Sequence, residues 1–157
     1  GALNWNNKPT ADPFFRELIA YPNEPVFFDV TSLVRTAQGG DKKLSLLLNT
    51  YVDNASSQST YATSENGTVA FRPQLVIETL DGVFPVADAT VRGGVNANTT
   101  HGTLPTLEIK NDTAASLDND REAFLRFDLN GLSGPPTNAF LRLMPLVTPT
   151  PVHAAAA

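Results

Sequence analysis

Apolar residues recur at every second position along much of the chain, the period of strands that bury one face. Val26, Phe28 and Val30 alternate with Phe27 and Asp29, and Leu44, Leu46 and Leu48 repeat the pattern further on. Val69 and Phe71 follow a tight turn at Asn66-Gly67, and Pro73 opens a strand through Leu75 and Ile77. The second half predicts strands near residues 86–92, 106–110, 123–129 and 139–144. Residues 31–37 break the period and read as one short helical turn, capped by Thr31 or Ser32 and stopped by Gly39-Gly40. Residues 51–61 form a polar excursion and 79–82 a short joint. The prolines of Thr148-Pro149-Thr150-Pro151 keep the end extended, and His153 with four alanines makes a tail expected to be disordered or artificial.

Turn signals separate these strands at the intervals of a sandwich. Twelve Pro, ten Gly and nine Phe with only 17% charged residues agree with strands and turns, and 157 residues at 41% hydrophobic suffice for one domain with its own core. The expected fold is all-β, a jelly-roll-like antiparallel β-sandwich. The absence of Cys removes disulfides, thiolate metal sites and cysteine nucleophiles. A net charge of -5 and a pI near 4.8 lack the basic footprint of a nucleic-acid binder. No run reaches the about 20 apolar residues of a membrane helix, and no signal peptide precedes Gly1, so the chain reads as soluble and already processed or excised. N-x-S/T triplets at Asn54, Asn66, Asn98 and Asn111 fit an extracellular or cell-surface glycoprotein, although a Thr- and Asn-rich chain also makes them by chance.

No G-x-S-x-G, H-E-x-x-H, Walker-type or G-x-G-x-x-G string is present, so an enzyme is not expected. His101 sits in a Thr-rich loop and His153 in the tail, and Tyr61 with His101 is too little for a lyase centre. No cofactor is expected. Asp118-Asn119-Asp120 spaces oxygen atoms as a structural calcium ion prefers, but without the Gly and distal Glu of an EF-hand loop the signal is weak and a solvated turn is the favoured reading.

Strand parity points to binding instead. If Leu107 and Ile109, Leu125 and Phe127, and Leu141 and Leu143 face inward, then Lys110, Arg126 and Arg142 face outward together with Phe124 and Phe140. Arg92 joins them if Ala89 and Val91 are buried. A face carrying Arg92, Lys110, Arg126 and Arg142 on an acidic protein suits an acidic polysaccharide, through charge-assisted hydrogen bonds and stacking on rings. The competing reading pairs these cations across strands with Glu108, Glu122 and Asp128 in the service of solubility.

The strings Ala87-Asp88-Ala89-Thr90-Val91-Arg92-Gly93-Gly94, Leu107-Glu108-Ile109-Lys110, Ala123-Phe124-Leu125-Arg126-Phe127-Asp128-Leu129 and Ala139-Phe140-Leu141-Arg142-Leu143 resemble the opening half of a known module. Leu3-Asn4-Trp5-Asn6-Asn7-Lys8-Pro9, Phe28-Asp29-Val30-Thr31-Ser32-Leu33-Val34 and Pro73-Gln74-Leu75-Val76-Ile77 resemble its closing half. The module is the DNRLRE, or disaggregatase-related, type that overlaps carbohydrate-binding module family 96. Here the closing half comes first. The resemblance implies a closing half over residues 1–79, a linker at 80–82, an opening half over 83–152 and a tail at 153–157. It also implies a non-catalytic β-sandwich appendage of secreted or surface proteins, and in that family the Trp5 position anchors a core or seam more readily than it offers a sugar platform.

Each half alone leaves a strand edge and half a core open. A circular permutant, a piece of a tandem array, and a subunit completed by its neighbours all answer that need. The function that the resemblance implies is glycan binding or adhesion outside the cell. The alternative is self-association into a head-to-tail filament.

Overall fold

Every period-two stretch of the sequence except one becomes a strand, and the strands stack around one main core, with a smaller apolar cluster on the outer face of one sheet. The computed structural model describes residues 2–11, 16–18, 20–50, 58–77, 80–112, 120–147 and 152–157. Its strands are β1 (Arg16–Leu18), β2 (Val26–Asp29), β3 (Lys43–Asn49), β4 (Ser59–Ala62), β5 (Gln74–Ile77) and β6 (Leu80–Val83) in the first part of the chain. Then come β7 (Ala87–Arg92), β8 (Thr106–Ile109), β9 (Arg121–Asp128), β10 (Ala139–Leu143), β11 (Pro145–Val147) and β12 (Val152–Ala156). They form a five-stranded sheet in the order β1-β12-β3-β9-β7, a four-stranded sheet β2-β10-β5-β6 and a three-stranded sheet β11-β4-β8, with antiparallel pairing throughout. The expected all-β antiparallel sandwich is the observed one.

Register explains the core. Leu44, Leu46 and Leu48 of β3 lie directly opposite Phe127, Leu125 and Ala123 of β9, and all six are buried. Leu141 of β10 lies between Phe28 of β2 and Leu75 of β5 and closes the other side, while Tyr61, Leu107 and Ile109 enter from the three-stranded sheet. Each large side chain withdrawn from water in this way contributes roughly 1.5–3 kcal/mol.

The expected helical turn is a nine-residue helix, α1 (Thr31–Gly39), which buries Val34 and lays Leu33 and Ala37 against the core. Asp29 rather than Thr31 or Ser32 supplies the side-chain acceptor, taking the Thr31 N–H at 3.0 Å. The Thr31 hydroxyl instead accepts the Ala139 N–H at 3.0 Å and ties the helix to β10. Ala37 O accepts from Gly40 and from Lys42, whose left-handed φ of 59° turns the chain into β3.

Residues on the two sides of position 80 complete each other within one chain. β1 and β3 pair with β12, β3 also with β9, β2 with β10, β4 with β8 and β11, and β5 with β10 and β6. Only the β7–β9 pair lies wholly on one side, among the described residues.

Four local expectations need correction. The supposed linker at 80–82 belongs to β6, which folds back on β5; the Gln74 side chain lies over Gly82, and a Cβ there would push it aside. The supposed disordered tail is β12, seated between β1 and β3 with Ala154 and Ala155 buried, because the edge of β3 needs a backbone partner and a small side chain suffices. Val69–Phe71 is a 3-10 helix and not a strand: Asn66 Oδ1 accepts the Thr68 N–H, and the Phe71 and Arg72 N–H groups turn back onto Thr68 O and Val69 O. The polar excursion also ends early, since Ser59–Ala62 is β4.

Candidate functional site

The four cations singled out by parity do not share a face. Arg126 behaves as expected: β9 sets it directly opposite Ser45 of β3 and Ala87 of β7, on the side of the five-stranded sheet away from the core. Its side chain is exposed and has no hydrogen bond or ion pair with any described residue. The next row on the same face is Leu47, Phe124 and Ala89. Phe124, expected to be an open platform, is only 5% exposed, because Leu3 and Trp5 pack over it together with Leu47 and Val91.

The covering segment is built by its own asparagines. Asn4 caps the short 3-10 helix Trp5–Asn7, accepting from Asn6 and Asn7 N–H groups, while Asn7 Oδ1 accepts the Asn4 N–H at 2.8 Å. Lys8 Nζ lies 3.4 Å from the centre of the Trp5 ring and pairs with Glu122 at 2.5 Å. Trp5 is thus a packing anchor with one ring face occupied by a cation. Asn6 Nδ2 donates to Asn98 Oδ1 at 2.8 Å and links this segment to the turn before residue 100. From there His101 bridges to Thr90, and Gly102 rides close over Asp88 and Ala89. Between the N-terminal segment and residues 100–103 lies a groove of about 600 Å³, with Ala2, Leu3 and Pro9 on one side, Thr100 and Thr103 on the other, and Ser45, Ala87 and Arg126 within it.

Arg92 goes the other way. Val91 is buried as the parity argument required, but beneath Trp5 on the outer layer, so the alternation turns Arg92 to the core side of the sheet at its end. There Arg92 Nη2 and Nε reach Glu108 Oε2 at 2.7 and 3.1 Å, and Arg121 Nη1 reaches the same oxygen at 3.2 Å. Arg121 Nη1 also donates to Gln58 Oε1. Lys110, the residue after β8, is held opposite Arg121 by a pair of backbone hydrogen bonds, so Arg92 of β7, Arg121 of β9 and Lys110 occupy one line. Burial lowers the pKa of Arg121, with Glu108 opposing. Burial likewise holds His101 below the ordinary imidazole value, with Arg92 adding to the effect, and its Nε2 is buried without a hydrogen-bond partner.

Arg142 faces away from the core on the four-stranded sheet, in line with Phe27 and Gln74, and its Nη2 donates to Ala70 O at 2.7 Å. Phe27 is 47% exposed, whereas Phe140 lies in the neighbouring row with Asp29 and Val76. Arg126 and Arg142 therefore point outward from different sheets. Arg121, which parity reasoning passed over, is the residue that joins Arg92 to Lys110.

Of the remaining candidates, Asn66 and Asn98 lie in turns with their side-chain oxygens engaged, and Asn54, Asp118 and Asn119 lie outside the described residues. Asp120 Oδ1 accepts the Asp112 N–H at 2.7 Å. No helix among the described residues is long and apolar enough to cross a membrane.

The family model for carbohydrate-binding module family 96 matches the chain over residues 1–79 and 81–152. No curated protein and no solved structure matches it.

Proposed function

The chain belongs to carbohydrate-binding module family 96, and from that premise we propose that it binds an acidic polysaccharide in the groove over the five-stranded sheet. The observation that carries this reading is Arg126: an exposed guanidinium without a partner among the described residues, inside a groove, on a chain of net charge -5. A guanidinium fork matches the two oxygens of a uronate carboxylate. The hydroxyls of Ser45, Thr100 and Thr103 suit ring hydroxyls, and Ala87 keeps the neighbouring surface low. Nothing in this reading asks for bond making, and the module acts by adhesion. Its place is outside the cell or on the cell surface, where such polymers are met.

Retention on pectate or alginate gels tests the groove. Loss of a charge-assisted hydrogen bond costs about 1.5–3 kcal/mol, so Arg126→Ala should weaken retention by about tenfold or more. Retention equal to that of the unaltered chain would sink the proposal.

The same reading extends to chain order: residues 1–79 and 81–152 act as complementary pieces of one module, joined with the closing piece first. Five strand pairs that join the two segments, β2–β10, β5–β10, β4–β8, β4–β11 and β3–β9, support it.

A further inference from the structure

We propose that the corner where β7, β8 and β9 meet is a second anion site, separate from the groove, that takes the carboxylate or sulfate substituent of a sugar between Arg92, Arg121 and Lys110. The glycan reading supplies only the carrier of the anion; the site itself stands on the charge count. Arg92 lies directly opposite Arg121, and Arg121 directly opposite Lys110. Like charges in directly opposed positions repel. Among the described residues Glu108 is the carboxylate in contact with the guanidinium groups and gives a single oxygen to both, while the neighbouring Asp120 carboxylate takes the Asp112 N–H. Side-chain exposures of 25% for Arg92, 22% for Arg121 and 12% for Glu108 put the surplus charge where water screens it incompletely.

The donors left over are suited to an incoming oxyanion. Arg92 spends Nε and Nη2 on Glu108 and keeps Nη1, and Lys110 Nζ has no partner among the described residues. His101, close enough to feel the charges of Arg92, Glu108 and Arg121, has a buried Nε2 without a hydrogen-bond partner among the described residues. Buried polar atoms without partners are uncommon and ask for a reason. An anion seated here offsets the repulsion and gives the free donors an acceptor.

The test titrates the full chain with sodium sulfate, methyl galacturonoside, galactose 6-sulfate and neutral methyl galactoside, and follows the unfolding temperature at constant ionic strength. Sulfate stabilises proteins generally by exclusion from their surfaces, and that background is common to every variant. The expected result is a saturable rise with at least one anionic ligand, absent with the neutral sugar. In Arg92→Gln and Lys110→Gln the half-saturating concentration should rise by about threefold or more, and in Glu108→Gln, which removes the competing carboxylate, it should fall. The two sugar arms tell a carboxylate from a sulfate ester. Equal responses in the unaltered chain and in Lys110→Gln, whose side chain supports nothing else among the described residues, would overturn the proposal even if Arg92→Gln fails to fold. Arg126→Gln should keep this response while losing gel retention, so the groove and the corner can fail independently.

Discussion

Arg126 and Arg92 stand on neighbouring strands of one sheet, yet one is an unpaired charge beside a groove and the other a bound charge beside the core. The difference comes from what covers the sheet. The core lies on one face, but Leu3 and Trp5 cover part of the other, so a residue can be buried while pointing outward. Val91 is such a residue, and Arg92, one position on, is turned inward to Glu108 as a consequence. Arg126 lies two positions beyond Phe124 on the same face and remains exposed. A short covering segment therefore decides which cations a ligand can reach.

The largest expected effect comes from removing what that segment covers. Phe124→Ala should destabilise the fold by about 3 kcal/mol, the cost of emptying a buried aromatic site, despite its position on the outer face. Urea unfolding measures it, and a change near zero would mean that Trp5 and Leu3 do not cover the sheet. Glu108→Ala leaves the two guanidinium groups facing each other and should cost about 1–2 kcal/mol, below the value for a fully buried pair because the site is partly solvated. The loss should shrink in high salt.

Asp88 gives a pH-dependent test of the same strand. Burial pushes its pKa up to about 6, even though its Oδ2 accepts the Ser64 N–H at 2.7 Å. The folded form thus binds this proton more tightly than the unfolded chain does. The stability from that proton is complete below the ordinary carboxylate value of 3.8 and is lost as the pH rises through about 6. Asp88→Asn should flatten the change in stability over this interval, as thermal unfolding at a series of pH values would reveal. The smallest effect belongs to Arg142→Ala. Its guanidinium is tied to Ala70 O and faces away from the groove, so gel retention should change by less than about twofold. A loss matching that of Arg126→Ala would move the binding surface to the four-stranded sheet.

Much of this fold is legible in the sequence because alternation is a direct consequence of strand geometry. β3, β9 and β10 follow from their leucines and phenylalanines alone. β12 does not, since an alanine run carries no contrast between faces and its strand is set by the hydrogen-bonding needs of β3 and β1. Val69 and Phe71 carry the contrast without a partner strand, and the Asn66 side chain captures the backbone instead. The groove cation was readable from parity at Arg126. The corner was not, because parity assigns sides of a strand and cannot tell which side is covered; the available signal was Arg121, which shares the parity of the inward-facing Ala123.

The most direct test is a backbone amide NMR titration of the isotopically labelled chain with a galacturonate oligomer. Binding in the groove predicts that the largest shifts cluster at Ser45, Ala87, Arg126 and residues 100–103, and that those at the first three positions weaken in Arg126→Ala. Shifts confined to Phe27, Gln74 and Arg142, or no shifts at all, would contradict it.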